Sequence, residues 1–512
     1  MSNRNFYVLV EGRAEANPTD VLLELESGET LSAQWLHKLC GSYASVFRRL
    51  GCAVGDRVAV QVEKSAHAFA LYLACLRAGL CYLPINTAYR SAELAYLLKD
   101  AQPSFLLRGP NTEALPDMTV PRSTKVLTFG IRGEGTFASL VKAGETSFST
   151  VELNGAAPAA LLYTSGTTGR PKGALISHAA LSYTAQTLSR LWGFSSSDVL
   201  LHALPIFHSH GLFISFNVAL AGGARILLQN KFDVSPVLDA IPRSTVFMGV
   251  PTYYHRLLTC PSLASSLCRN MRLFISGSAP LSAPMHRDFE TRTGHRILER
   301  YGLTEAMILC SNPLEGDRRP GSVGLPIPGV DLRIAGERDE ALPVGQVGII
   351  QARGPGLFSG YWNNAEQTKA ELTADGFFRT GDMGLVDEKG YVSITGRAKD
   401  LIISGGYNVY PAEVEAVIDE LTSVKESAVV GATHADFGEC VVAFVIASDK
   451  SDPPSESEVI QQVKRNMASY KTPKKVIVVD DFPRNAMGKV LKKELRTTLA
   501  DFPTLGSDNA NR

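Results

Sequence analysis

The sequence predicts an α/β protein in which a large, layered N-terminal domain precedes a small α+β domain. Three observations carry this expectation. At 512 residues the chain is too long for a single hydrophobic core. Strand-like apolar runs alternate with helix-period segments over most of its length, as layered α/β folds require. Near 396–400 the stretch GRAKD interrupts the alternation, which places a domain boundary between 1–398 and 399–512.

The elements follow in order. GDRVAVQV reads as a strand, SAHAFALYLACLRAG as a helix and CYLPIN as a strand. AALLY (159–163) is a short buried strand, and GALISHAALSYTAQTLSRL (173–191) passes from strand to helix. STVFMGV leads into PTYYHRLL, and MRLFISGSAPL into SAPMHRDFETRTG. The segment 331–354 reads as β-hairpins turning at GERDEALPVGQ. Beyond Asp400, Pro411 opens an amphipathic helix, SAVVGA and CVVAFVIAS are strands, and SESEVIQQVKRNMASY is a second helix. The tail LGSDNANR is expected to fray.

Composition excludes several classes. Lys+Arg 51 balances Asp+Glu 51, which removes the basic footprint of a dedicated nucleic-acid binder. The most apolar run, AFALYLACLRAGLCYLPI (68–85), is cut by Arg77 and Gly79. It falls short of the roughly 20 residues that span a bilayer. The N-terminus lacks a signal-peptide apolar region. Eight Cys without a C-x-x-C pair suit neither a disulfide scaffold nor a zinc site, so the expected compartment is the reducing cytoplasm.

Between the strands near 160 and 175 lies YTSGTTGRPKG (163–173). Gly166, Gly169 and Gly173 allow sharp bends and close amide approach to an anion. Thr164, Ser165, Thr167 and Thr168 supply hydroxyl donors, and Arg170 and Lys172 supply positive charge. It is not a Walker loop, because Gly173 follows Lys172 where a metal-binding hydroxyl is needed. It is therefore either an ordinary turn or a different nucleotide loop. Downstream, ERYGLTE (299–305) brings Tyr301, Thr304 and Glu305; FRTGDMG brings Asp382; GRAKD brings Arg397; RNAMGKV brings Lys489. Singly, each has an ordinary structural use: Glu305 as a cap, Asp382 as a turn former, Lys489 as a solvated charge. Their joint order is what carries information.

That ordered set closely resembles the acyl-adenylate-forming superfamily of acyl-CoA synthetases, luciferases and peptide-synthetase adenylation domains, from about residue 20 to 500. The resemblance implies a large N-terminal multi-subdomain α/β domain with a β-barrel-like portion, and a mobile C-terminal domain. It implies ATP, Mg²⁺ and coenzyme A: a carboxylate attacks the α-phosphate of ATP, and a thiol then displaces AMP. Carried across, residues 164–172 hold the β- and γ-phosphates and Tyr301 stacks on adenine. Ser278, Ala279, Pro280, Glu299 and Arg300 complete the nucleotide side. Glu305 binds the metal, with Thr304 beside it as a catalytic residue. Asp382 and Arg397 grip the ribose. Lys489 reaches the α-phosphate and the attacking oxygen. Lys399 is the expected hinge, and rotation brings Gly405 and Gly406 to the pantetheine.

The acyl side is expected around LPIFHSHGLF, MGVPTYYHRLL and SGSAP, with His208, Ser209, Arg256, Ser276, Gly277 and Ile308 as substrate residues. No acid marks an amino-acid-activating pocket. Arg256, in the second turn of a helix beginning at Pro251 and so expected near the positive end of its dipole, would meet a second carboxylate. His208 and His210 are expected as pocket-lining donors. The pattern HALPIFHSHGLF…MGVPTYYHRLL…RLFISGSAPL…LERYGLTE resembles malonyl-CoA synthetases, which act on malonate and often methylmalonate. A ligase for another short-chain acid, a phosphotransferase releasing ADP, and a non-catalytic acyl-nucleotide binding protein stand as the alternatives. Small-molecule partners are implied; the oligomeric state is not.

Overall fold

The computed structural model describes residues 3–112, 115–116, 119–164, 171–404, 407–434 and 437–499. Ser165, Gly166, Thr167, Thr168, Gly169, Arg170, Gly405, Gly406 and the tail 500–512 lie outside the described residues.

Among the described residues four sheets organise the chain. The first has the strand order Lys125–Thr128, Phe105–Arg108, Arg57–Gln61, Cys81–Pro84, Pro158–Thr164, Lys172–Ser177. It is parallel except for its last pair, an antiparallel pairing in which Thr164 faces Lys172. The helix Ala66–Arg77 explains the long apolar run. Ser65 caps it by accepting from the Ala68 N–H at 3.1 Å, and every residue of the helix but His67 is buried. Arg77 survives there because its guanidinium lies over the Tyr7 ring and donates to the His37 carbonyl at 3.1 Å.

The second sheet has nine strands. Its centre is parallel, built from Val199–His202, Arg225–Leu228, Val246–Gly249, Leu273–Ser276 and Leu298–Leu303. These strands are apolar because helices cover them; Leu200, Phe247, Phe274 and Leu298 are fully buried. Parallel strands place their carboxyl ends on one edge, and the segments that follow carry His208 and His210, the helix Pro251–Leu258, Gly277 and Ser278, and Thr304 and Glu305. The topology alone thus gathers motifs scattered over a hundred residues of sequence.

The expected β-barrel-like portion is a four-stranded antiparallel sheet, Asp331–Ala335, Gly348–Arg353, Phe378–Val386 and Val392–Arg397, open at both edges. After it a short 3₁₀ turn, Ala398–Asp400, leads into Ile402–Ser404, which belongs to the C-terminal sheet with Tyr407–Val409, Gly438–Ala447, Val424–His434 and Lys475–Val478. The helices Pro411–Ile418 and Glu456–Asn466 cover one face of this α+β domain with Val414, Ile418, Val459 and Val463. No helix among the described residues is long and apolar enough to cross a membrane.

Candidate active site

Leu298–Leu303 divides the site by simple alternation. Successive side chains of a strand point to opposite faces, so Arg300 and Tyr301 cannot serve the same side. Tyr301 donates its hydroxyl to Asp382 Oδ2 at 2.5 Å, and Asp382 Oδ1 takes Arg397 Nε at 2.6 Å. Asp382 and Arg397 are register partners in the antiparallel sheet, which fixes the pair without a loop. Tyr301 and Asp382 are buried, and burial together with the neighbouring carboxylate raises the Tyr301 pKa. The phenol therefore stays protonated and remains a donor.

Glu305 sits in the turn after this strand. It is buried, its Oε1 accepts the Thr164 hydroxyl at 3.0 Å, and burial pushes its carboxyl pKa up. Its backbone carbonyl accepts from Phe358 N at 2.7 Å. Thr304 is half-buried beside it. Lys172, at the far end of the loop from Thr164, is buried and pairs with Glu371 at 3.0 Å. Glu371 was not among the sequence candidates.

Lys489 comes from the C-terminal domain. Its loop rests on the first turn of Pro251–Leu258: a Cβ on Gly488 would lie 2.7 Å from Thr252 Oγ1. Burial first, then Arg397, push the Lys489 ammonium pKa down to about 8, while Asp382 opposes them. The structure thus brings Lys489, Arg397, Asp382 and Tyr301 together. Lys399 is exposed in the turn that joins the two domains.

The opposite face gathers Arg300, His208, His210, Gly277 and Ser278. Arg300 is 5% exposed, and its Nε and Nη2 are buried without a partner among the described residues. Burial lowers its pKa to about 10, so the guanidinium remains charged at neutral pH. His208 is pushed down to about 4 by burial and then by Arg300, and His210 is lowered for the same reasons. Both imidazoles are neutral. The Ser278 hydroxyl lies 3.1 Å from His210 Nδ1, and His210 Nε2 is buried without a partner. Ser278 reaches there from a positive φ of 72°. Ser276 Oγ is likewise buried and unpaired, and Ile308 is buried on the strand Met307–Ser311, which pairs with Leu298–Leu303. Ser209 is buried between the two histidines in sequence.

Two placements differ from the sequence expectations, and one element has no counterpart among them. Arg300, grouped there with nucleotide contacts, turns toward the histidines. Arg256 is exposed; its carbonyl accepts the Thr259 hydroxyl at 2.8 Å, but its side chain has no hydrogen bond or ion pair among the described residues. Its helix ends at Leu258, so the second turn is also the last, and Arg256 stands near the negative rather than the positive end of the dipole. His210–Phe216 forms a π-helix, possible because Gly211 lies against the Pro205 carbonyl, where a Cβ would stand 2.1 Å away. Of the remaining candidates, Ala279 is half-buried and Pro280 exposed. Glu299 is buried, accepts from Leu281 N at 3.2 Å, leaves Oε2 unpaired and is pushed up to about 8 by burial.

The family model described as AMP-binding enzyme matches residues 10–362, and that for the AMP-binding enzyme C-terminal domain matches residues 413–489. The chain belongs to the AMP-binding enzymes. Among AMP-binding enzymes it is 34% identical to a malonate–CoA ligase of Arabidopsis thaliana, over 90% of this chain and 80% of that one. The crystal structure of ATP-bound MatB from Rhodopseudomonas palustris is 46% identical, with a TM-score of 0.95 over 98% of this chain and 99% of that one. The apo form of MatB, at 45% identity and like coverage, gives 0.85. The chain as a whole is thus closer to the ATP-bound form than to the apo form.

Proposed function

We propose that this protein ligates malonate to coenzyme A in two half-reactions. A malonate oxygen attacks the α-phosphorus of ATP, pyrophosphate leaves, and the thiol of coenzyme A then attacks the acyl carbon and releases AMP. The observation that carries the choice of acid is Arg300. A buried, unpaired guanidinium costs several kcal/mol, and an anion that shares the acyl pocket offsets that cost. A monocarboxylate spends its only charge at the phosphate, whereas malonate brings a second. The names of the malonate–CoA ligase and MatB relatives support the same reading.

In this reading Tyr301 stacks on adenine, Asp382 and Arg397 hold the ribose hydroxyls, and residues 164–172 grip the β- and γ-phosphates. Lys489 sits between the α-phosphate and the attacking oxygen, where two anions repel unless a cation stands between them. His208, His210 and Ser276 offer neutral donors around the acyl group, Arg300 holds the distal carboxylate, and the exposed Arg256 side chain is free to swing onto it. Ser209 and Ile308 flank the α-carbon. Lys399 is the pivot that withdraws Lys489 and brings residues 405–406 toward the pantetheine.

The residues present fit a Mg²⁺ ion. Glu305 is a hard oxygen donor beside the Thr164 hydroxyl, and no cluster of three or more metal-ligating side chains occurs among the described residues. One protein carboxylate with phosphate oxygens and waters is the usual Mg²⁺ environment. When bound, the ion would offset charge on the phosphates. The free cysteines suit a reducing cytoplasm.

Product analysis tests the proposal. With ATP, CoA and malonate, methylmalonate, propionate or butyrate, chromatography should find AMP and malonyl-CoA, with malonate preferred over both monocarboxylates. Release of ADP, or a preference for butyrate, would overturn it.

A further inference from the structure

Thr164 and Lys172 are cross-strand partners at the two ends of the loop between them, and each is tied to a carboxylate. Thr164 donates to Glu305 at 3.0 Å; Lys172 pairs with Glu371 at 3.0 Å. Tyr361 joins the two carboxylates. Its hydroxyl donates to Glu371 Oε2 at 2.6 Å and stands 3.2 Å from Glu305 Oε1, while its ring lies 5.1 Å from the Lys172 ammonium. Gln367 Nε2 donates to Glu371 Oε1 at 2.7 Å, so three donors fix the carboxylate.

Local stability does not explain Glu371. It is the last residue of the helix Ala365–Glu371, where a negative charge opposes the helix dipole. Its ion pair with Lys172 spans 199 positions and is only 7% and 20% exposed. Lysine is a flexible four-carbon stem, and immobilising it in solution is costly in rotamer entropy. The carboxylate and the Tyr361 ring together hold its ammonium in one place before any ligand arrives.

We infer that Glu371 is a positioning residue for nucleotide binding: it presets Lys172 and Tyr361 at the phosphate end of the site. This rests on the proposed ATP-dependent function, but not on the choice of acid. The carboxylate acts through Lys172, which it holds together with the Tyr361 hydroxyl and Gln367.

The test is MgATP binding by calorimetry, with no acid or CoA present, for wild type, Glu371→Gln, Lys172→Met and the double variant. Glu371→Gln keeps the shape and removes the charge, and should weaken binding about tenfold, the loss typical of a charged hydrogen bond. The double variant should bind no more than about twofold worse than Lys172→Met alone, because Glu371 acts through that lysine. In turnover, KM for ATP should rise about as much as the dissociation constant while kcat falls far less. Wild-type affinity in Glu371→Gln, tighter binding, or losses that multiply in the double variant would each overturn the inference and leave the function standing. Failure of the wild-type protein to bind MgATP would overturn both. Should Glu371→Gln not fold, Glu371→Asp, which withdraws the charge by one methylene, must show the same coupling to Lys172→Met, and independence there overturns the inference equally.

Discussion

Arg300 lies against Gly277 so closely that a Cβ on the glycine would stand 2.5 Å from the guanidinium carbon. The glycine makes room for a charge that nothing else in the described protein pairs. A site that holds an unpaired buried cation is organised for a ligand rather than for stability. Arg300→Met should therefore raise the melting temperature of the free protein, since an apolar side chain replaces an uncompensated charge. It should also remove about 2–5 kcal/mol of malonate discrimination, measured as kcat/KM against butyrate. A variant that is destabilised, or that still prefers malonate, would remove Arg300 from the substrate role.

Arg256 poses a different question, because an exposed arginine contributes little until something covers it. If it closes on the distal carboxylate, Arg256→Ala should lower malonate turnover at least tenfold while butyrate turnover holds or improves. Arg256→Lys should recover only part, since an ammonium cannot form the two-pronged contact. Both are read as AMP release for each acid. An unchanged malonate preference in Arg256→Ala would leave it a surface cation.

The grouping of Tyr301, Asp382, Arg397 and Lys489 was legible in the sequence because they sit in short polar motifs of fixed order. The acyl half was less so. Arg300 adjoins Tyr301 in the chain, yet strand alternation sends it to the other face, which a motif read as one unit hides. The exposure of Arg256 depends on where its helix stops, and the π-helix depends on Gly211 meeting Pro205, a contact with no periodic signature. Glu371 carries no local signal, because its meaning comes from a lysine in a distant strand. The hairpins at 331–354 were readable from turn residues, but their closure is set by pairing with the strands near 380 and 395, and those leave the sheet open.

Lys399 lies where the strand Val392–Arg397 leaves one sheet and Ile402–Ser404 enters another, so a change of torsion there swings the whole C-terminal domain. Proline fixes φ near its value in a 3₁₀ turn. Lys399→Pro should hold the present arrangement. Adenylate formation, followed by pyrophosphate exchange, should persist, while transfer from preformed malonyl-AMP to CoA should fall roughly a hundredfold, as expected for misplaced groups. Wild-type rates in both half-reactions would place the pivot elsewhere.

Lys489 supplies a test in pH. Its ammonium is held down to about 8 by burial and by Arg397, so the free enzyme loses this cation as pH rises past 8. The cation is what lets a carboxylate approach a phosphate, so only the protonated form serves adenylation. The value of kcat/KM for pyrophosphate exchange should thus be flat below about pH 8 and fall about tenfold per unit above it. Bound anions favour the charged lysine, which should move the limb in kcat to higher pH. Transfer from preformed malonyl-AMP to CoA should show no such fall, because the thiol becomes more reactive as it ionises and the proposed rotation withdraws Lys489 at that stage. Lys489→Ala should abolish the first half-reaction and spare the second. Parallel pH profiles for the two half-reactions, or equal losses in Lys489→Ala, would mean that Lys489 does not leave the site between them.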